Sequence, residues 1–172
     1  CAFYDCTSLT SITIPNSVRS IYSSTFWGCD SLTSVTIPNS VTRIDNDAFS
    51  SCESLSSITI PNSVGVIEKG AFSYCTSLTE LLIPDSVTFI GSGLVSGCVN
   101  LDEIFMFPDK DCYRNRDYLQ GWSGTLYMQE LTMKQEEIFN DTTDSIYSLA
   151  DYYIETRSEP VSYTHLTLPT IA

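Results

Sequence analysis

The side chains with chemical potential in this chain are its seven cysteines, its one histidine and its twenty-one carboxylates. Five thiols, Cys6, Cys29, Cys52, Cys75 and Cys98, recur at intervals of 23 residues. Cysteines in one repeat column point the same way, so neighbouring Cβ atoms stand nearer the coil spacing than the ~3.8 Å a disulfide prefers. They are expected to be buried free thiols acting as small hydrophobes. Cys1 and Cys112 fall outside the column at opposite ends, so no bridge is expected between them. With His165 the only imidazole, no metal site and no cofactor are expected. Asp45 with Asp47, and Asp109 with Asp111, lack the calcium-loop pattern and read as solvated loop charge. Glu80 and Glu103 are also 23 apart. Stacked coils would set their carboxylates ~5 Å apart, the separation used by retaining glycosidases. Nothing supplies a deep pocket, so a glycoside hydrolase is a remote alternative and no catalytic residue is expected.

The elements that position these side chains follow from the same period. Leu9, Leu32, Leu55, Leu78 and Leu101 recur with it, as do Ile12, Val35, Ile58, Leu81 and Ile104. So do Pro15, Pro38, Pro61 and Pro84, and Phe3, Phe26, Phe49 and Phe72. Leu-x-x-Ile-x-Ile ends with apolar residues two apart, the strand period. Pro then ends the strand, because it has no N–H to give to a ladder. Asn-Ser supplies turn chemistry, Val-x-x-Ile a second short extended piece, and Ala-Phe-x-x-Cys a single helical or 3-10 turn. Asn16, Asn39, Asn62 and Asp85 form a polar column expected to hold the turns through side-chain to backbone bonds. One such coil cannot bury enough to fold alone. Stacked coils share a core and backbone bonds at ~4.8 Å per coil.

The chain has 172 residues, 42% apolar and 17% charged, with a net charge of -13. It is too apolar for disorder. Such acidity argues against nucleic acid and anionic membrane as partners, and no membrane-inserting segment is evident. The chain starts with Cys1 inside the repeat pattern, so it reads as cut from something longer. Residues 161–171 resemble the read-through of a transposon-based sequencing adapter, codon by codon over 161–170 and with Ile171 compatible with the next base. They are set aside from the fold as tags are and expected to be disordered, and they imply an assembled metagenomic reading frame.

The motifs S-L-T-S-I-T-I-P-N-S-V and A-F-x-x-C, over residues 2 to about 107, resemble the BspA-like, Treponema-type leucine-rich repeat family. The resemblance implies the α/β leucine-rich repeat class, as a right-handed β-rich solenoid. It also implies a secreted or cell-surface location in host-associated microbes and some protists, and adhesion to host, matrix or cell-surface proteins. The repeat decays where Leu94-Val95 replaces Ala-Phe and Pro108 arrives a residue late. The expected division is therefore a solenoid of about five coils over 1–111, a partly helical cap over 112–160 and the tail over 161–172. Within the cap, 124–128 is a candidate last strand. Thr132 and Gln135 form a capping box for a short helix to about Asn140. A second helix would start at Asp144, with Ile146, Leu149, Tyr153 and Ile154 on one face. Asn140 and Thr142 complete a glycosylation sequon.

The exposed strand face is the candidate binding surface. Its outward residues are Ser11 and Thr13, Ser34 and Thr36, then Ser57 and Thr59. The next coils change to Glu80 with Leu82 and Glu103 with Phe105. Hydroxyl rows suit hydrogen-bonding partners, and Leu82 beside Phe105 makes an apolar spot rimmed by carboxylates, unless the cap covers it. The reading is a non-enzymatic module that binds protein, with glycan as a second option. The alternative is a structural spacer, favoured by the near-identity of residues 33–41 and 56–64.

Overall fold

A computed structural model describes residues 2–106, 116–120, 122–129, 153–156 and 163–167. The repeats form a β-solenoid. One side carries β1 (Ser11–Thr13), β3 (Ser34–Thr36), β6 (Glu80–Ile83) and β8 (Glu103–Met106). The other carries β2 (Ser20–Ile21), β4 (Arg43–Ile44), β5 (Val66–Ile67) and β7 (Phe89–Ile90), joined as one four-stranded parallel sheet. Ile21, Ile44, Ile67 and Ile90 stand in register across it. On the first side β1 pairs with β3 and β6 with β8, while the third coil joins through an isolated Thr59–Leu82 bridge.

Local chemistry fixes the corners. The carbonyls of Pro15, Pro38, Pro61 and Pro84 accept from the N–H groups of Val18, Val41, Val64 and Val87, closing a β-turn around Asn-Ser or Asp-Ser in each coil. The Ala-Phe-x-x-Cys segments are not helical, which corrects the expected helical or 3-10 turn within the leucine-rich repeat coil. They are successive turns, and the cause is two columns of left-handed backbone. Asp5, Gly28, Ser51, Tyr74 and Gly97 have φ of 57°, 70°, 59°, 56° and 77°. Ser24, Asp47, Gly70 and Gly93 have φ of 52°, 54°, 64° and 64°. A right-handed helix cannot run through such residues. Gly91 answers a different need: a Cβ there would collide with the Lys69 backbone nitrogen.

The core is a set of continuous columns. Leu32, Leu55 and Leu78 are fully buried, as are Ile44 and Ile67. The rings of Phe3, Phe26, Phe49 and Phe72 stack in sequence, with centroids 5.3, 5.1 and 5.7 Å apart. Where the Phe column ends, Leu94 and Val95 fill its place. The solenoid is closed at its C-terminal end by Tyr118, Leu119 and Trp122, all buried, with the Trp122 indole donating to the Leu101 carbonyl at 2.8 Å.

Beyond the coils, Arg116–Leu119 is a 3-10 turn, and the expected last strand is present as β9 (Thr125–Gln129), parallel to β8. Tyr153 and Ile154 lie in β10 (Tyr153–Thr156) rather than on a helix. Tyr163–Thr167, expected to be disordered, forms β11, antiparallel to both β9 and β10. Both segments are rich in aromatic and β-branched residues; the open edge of β9 receives β11, and the far edge of β11 receives β10. The helix expected over 132–140 lies outside the described residues.

Phe49 has a ring on each side of it. Phe49→Ala is expected to lower the unfolding free energy by about 3–5 kcal/mol, measured by chemical denaturation. A loss below about 1 kcal/mol, the range of a surface change, would show that the aromatic column is not structural.

Candidate functional site

The strand face is built by alternation. In β6 and β8 the inward residues Leu81, Ile83, Ile104 and Met106 are fully buried. Their neighbours point out by the pleat. Ser11, Thr13, Ser34, Thr36, Ser57 and Thr59 are all exposed. Parallel register sets Ser11 against Ser34 and Thr13 against Thr36. It also sets Glu80 against Glu103 and Leu82 against Phe105. The two glutamates are therefore cross-strand neighbours, Glu80 exposed and Glu103 half-buried, on a strand surface rather than in a cleft. Leu82 remains 49% exposed and Phe105 half-buried, so among the described residues nothing covers the apolar spot completely. The row continues at the backbone level, where Phe105 is registered with Tyr127 of β9. The ten residues form two groups: the hydroxyls of the first three coils, and the Glu, Leu and Phe of the next two. No bridge among the described residues links β3 to Thr59.

The cysteine column lies on the inside. Cys29, Cys52, Cys75 and Cys98 are buried and free, and Cys6 on the first coil is half-buried. Each inner thiol also donates to the carbonyl of a phenylalanine in the preceding coil. The pairs are Cys29 to Phe3, Cys52 to Phe26, Cys75 to Phe49 and Cys98 to Phe72, at 3.0–3.2 Å. Those carbonyls already accept the N–H of the cysteine in their own coil, so one oxygen ties two coils with both lone pairs. Burial pushes the Cys52 thiol up to about 12 and the Cys98 thiol to about 11. Cys75 is pushed well above the ordinary thiol range by the same cause. These are poor nucleophiles and poor metal ligands, since both roles need the thiolate. No cluster of metal-ligating side chains occurs among the described residues. Asp45 instead pairs with Arg43, which also reaches Glu68 at 2.6 Å.

The polar ladder of the turn is not made by Asn16, Asn39, Asn62 and Asp85, which are exposed. It is made one residue later. Ser40, Ser63 and Ser86 donate to the carbonyls of Val18, Val41 and Val64 at 2.7, 2.6 and 2.8 Å. The signal was present in the sequence, because Ser17, Ser40, Ser63 and Ser86 recur with the period. The more prominent Asn column masked it.

A family model of the BspA type leucine rich repeat region matches residues 1–116, in six copies. The chain belongs to the BspA-type leucine-rich repeat family. Its fold resembles a leucine rich repeat protein of T. pallidum, with 39% identity and a TM-score of 0.60, over 61% of this chain and 49% of that one. A leucine-rich repeat protein of Bacteroides ovatus is 41% identical with a TM-score of 0.58, over 61% of this chain and 27% of that one. A leucine rich cell surface protein of Faecalibacterium prausnitzii is 26% identical with a TM-score of 0.65, over 80% of this chain and 36% of that one. This BspA-type chain thus spans less than half the length of each. Comparison with curated proteins gives no match.

The thiol column makes stability depend on pH. A buried thiol stays protonated when folded, while the same thiol ionises near 9 when exposed. Its stabilisation is complete below pH 9 and is lost as pH rises towards 11–12. The expected slope is about 1.4 kcal/mol per pH unit for each such thiol. Denaturation between pH 8 and 11 is expected to show a steeper decline for the native sequence than for a Cys52→Ala/Cys98→Ala variant. Parallel curves would contradict the assignment.

Proposed function

We propose that this BspA-type chain is a non-enzymatic interaction module, secreted or displayed at the cell surface, that binds a protein partner through its strand face. A host, matrix or cell-surface protein is the expected class, and a glycan is the second option. Two observations support the reading. The family is a repeat scaffold, and one structural relative is a cell surface protein.

The observation that carries it is Leu82. At a position where three earlier coils place Thr, this coil exposes a leucine in register with Phe105. Inward positions are dictated by packing, whereas an outward leucine adds nothing to the coil's own core. A half-exposed aliphatic and aromatic pair on a rigid backbone, edged by Glu80 and Glu103, has the make-up of a small binding centre. The near-identical second and third coils favour a second reading, in which the repeats hold another domain at a distance.

Replacing both residues, Leu82→Asp with Phe105→Asp, is expected to weaken attachment to cells or matrix protein by at least about tenfold, with the circular dichroism spectrum unchanged. A well-folded double variant with undiminished attachment would refute the patch. An isolated chain that captures nothing would favour the spacer.

A further inference from the structure

We infer that the edge of β9 is an acceptor site for an extended protein segment, which adds as an antiparallel strand with an aliphatic residue in register with Leu126. In this chain β11 holds the place. The site is a sheet edge rather than the strand face, so the inference goes beyond the reading given above and does not rest on it.

The change of strand polarity carries the inference. Among the described residues, every pairing between coils is parallel. β9 extends the ladder of β6 and β8 in the same sense. β11 does not. It lies antiparallel along the whole of β9, from Thr125 against Thr167 to Gln129 against Tyr163. A further coil would continue the parallel order, because each coil brings its strand back in the same direction. β11 is therefore not a coil, and its residues fall outside the 23-residue period. It meets the edge as an added strand does, through main-chain bonds that any extended segment can make.

Register shows what the edge requires of its occupant. Leu81, Ile104 and Leu126 stand in register across β6, β8 and β9. Leu166 of β11 takes the next place, and Ile154 of β10 the one after. All five are Leu or Ile, and Leu81 and Ile104 are fully buried. The adjacent row runs Leu82, Phe105, Tyr127, His165 and Glu155, and keeps no chemical type. One row thus stays aliphatic through both polarities while its neighbour varies. A one-residue slip would exchange the two rows. The residue opposite Leu126 therefore sets the register of whatever binds. The ligand class that fits is an extended segment as long as β9, with Leu or Ile at that place and no proline.

Peptide binding to the full chain tests this, with a labelled peptide copying residues 161–168 as the probe. Thr164→Pro with Leu166→Pro removes two N–H groups from β11 and should free the edge. That double variant is expected to bind the peptide. The unchanged chain should bind it at least about tenfold more weakly, because its own strand competes at high effective concentration. A peptide carrying Leu166→Asp should bind the freed edge at least about tenfold more weakly than the parent peptide. One carrying His165→Asp, in the row that varies, should bind as the parent does. Thermal melts check the fold of the double variant. The inference is overturned if the folded variant binds no peptide, if it binds no better than the unchanged chain, or if the two Asp peptides bind alike. Should the double variant not fold, hydrogen exchange on the unchanged chain decides. Peptide at about millimolar concentration should then speed exchange of the β11 amides, and unaltered exchange would overturn the inference. Each of these outcomes leaves the strand-face reading as it stands.

Discussion

The structure depends on one constraint: no coil satisfies its own backbone or buries its own side chains. The N–H groups of Phe3, Phe26, Phe49 and Phe72 are bonded to carbonyls of the following coil. The carbonyls of the same residues receive thiols from it. Their rings stack on one another. A single residue type in each coil thus carries three kinds of contact with its neighbours. This is why the spacing must be kept at 23: a one-residue slip would break the aromatic, thiol and strand registers together.

That constraint divides the residues into two populations. Inward positions hold mainly Leu, Ile, Val, Met, Phe, Cys and Ala, because every coil presents the same hole to its neighbour. Outward positions are released from packing. Three coils keep Ser and Thr there, and two introduce Glu, Leu and Phe without disturbing the buried Leu81, Ile83, Ile104 and Met106. A solenoid can therefore acquire a binding patch without redesigning its core, and the rigid register fixes how the patch is spaced.

Much of this was legible in the sequence. The period gave the coil, and the apolar residues two apart gave the strands. Other features were hidden for physical reasons. The left-handed columns were obscured because Asp5, Ser51 and Tyr74 share a conformation with Gly28 and Gly97, and only glycine announces that conformation. Without them the Ala-Phe-x-x-Cys segment reads as helix. The thiols read as small hydrophobes because a donor role appears only when a carbonyl is placed opposite. The pairing of β10 and β11 was not legible, since antiparallel partners chosen by an open edge leave no periodic trace. The outward columns were legible as positions, while the exposure of Leu82 required the folded chain.

The central claim is that the coils are stable only as a shared stack. Native-state hydrogen exchange measures it most directly, through the amides of Phe26, Phe49 and Phe72, which donate to Ala48, Ala71 and Leu94. The account predicts that these three amides exchange through one cooperative opening, with a common free energy that rises and falls together as denaturant is added. Three independent opening energies, each insensitive to the others, would contradict it.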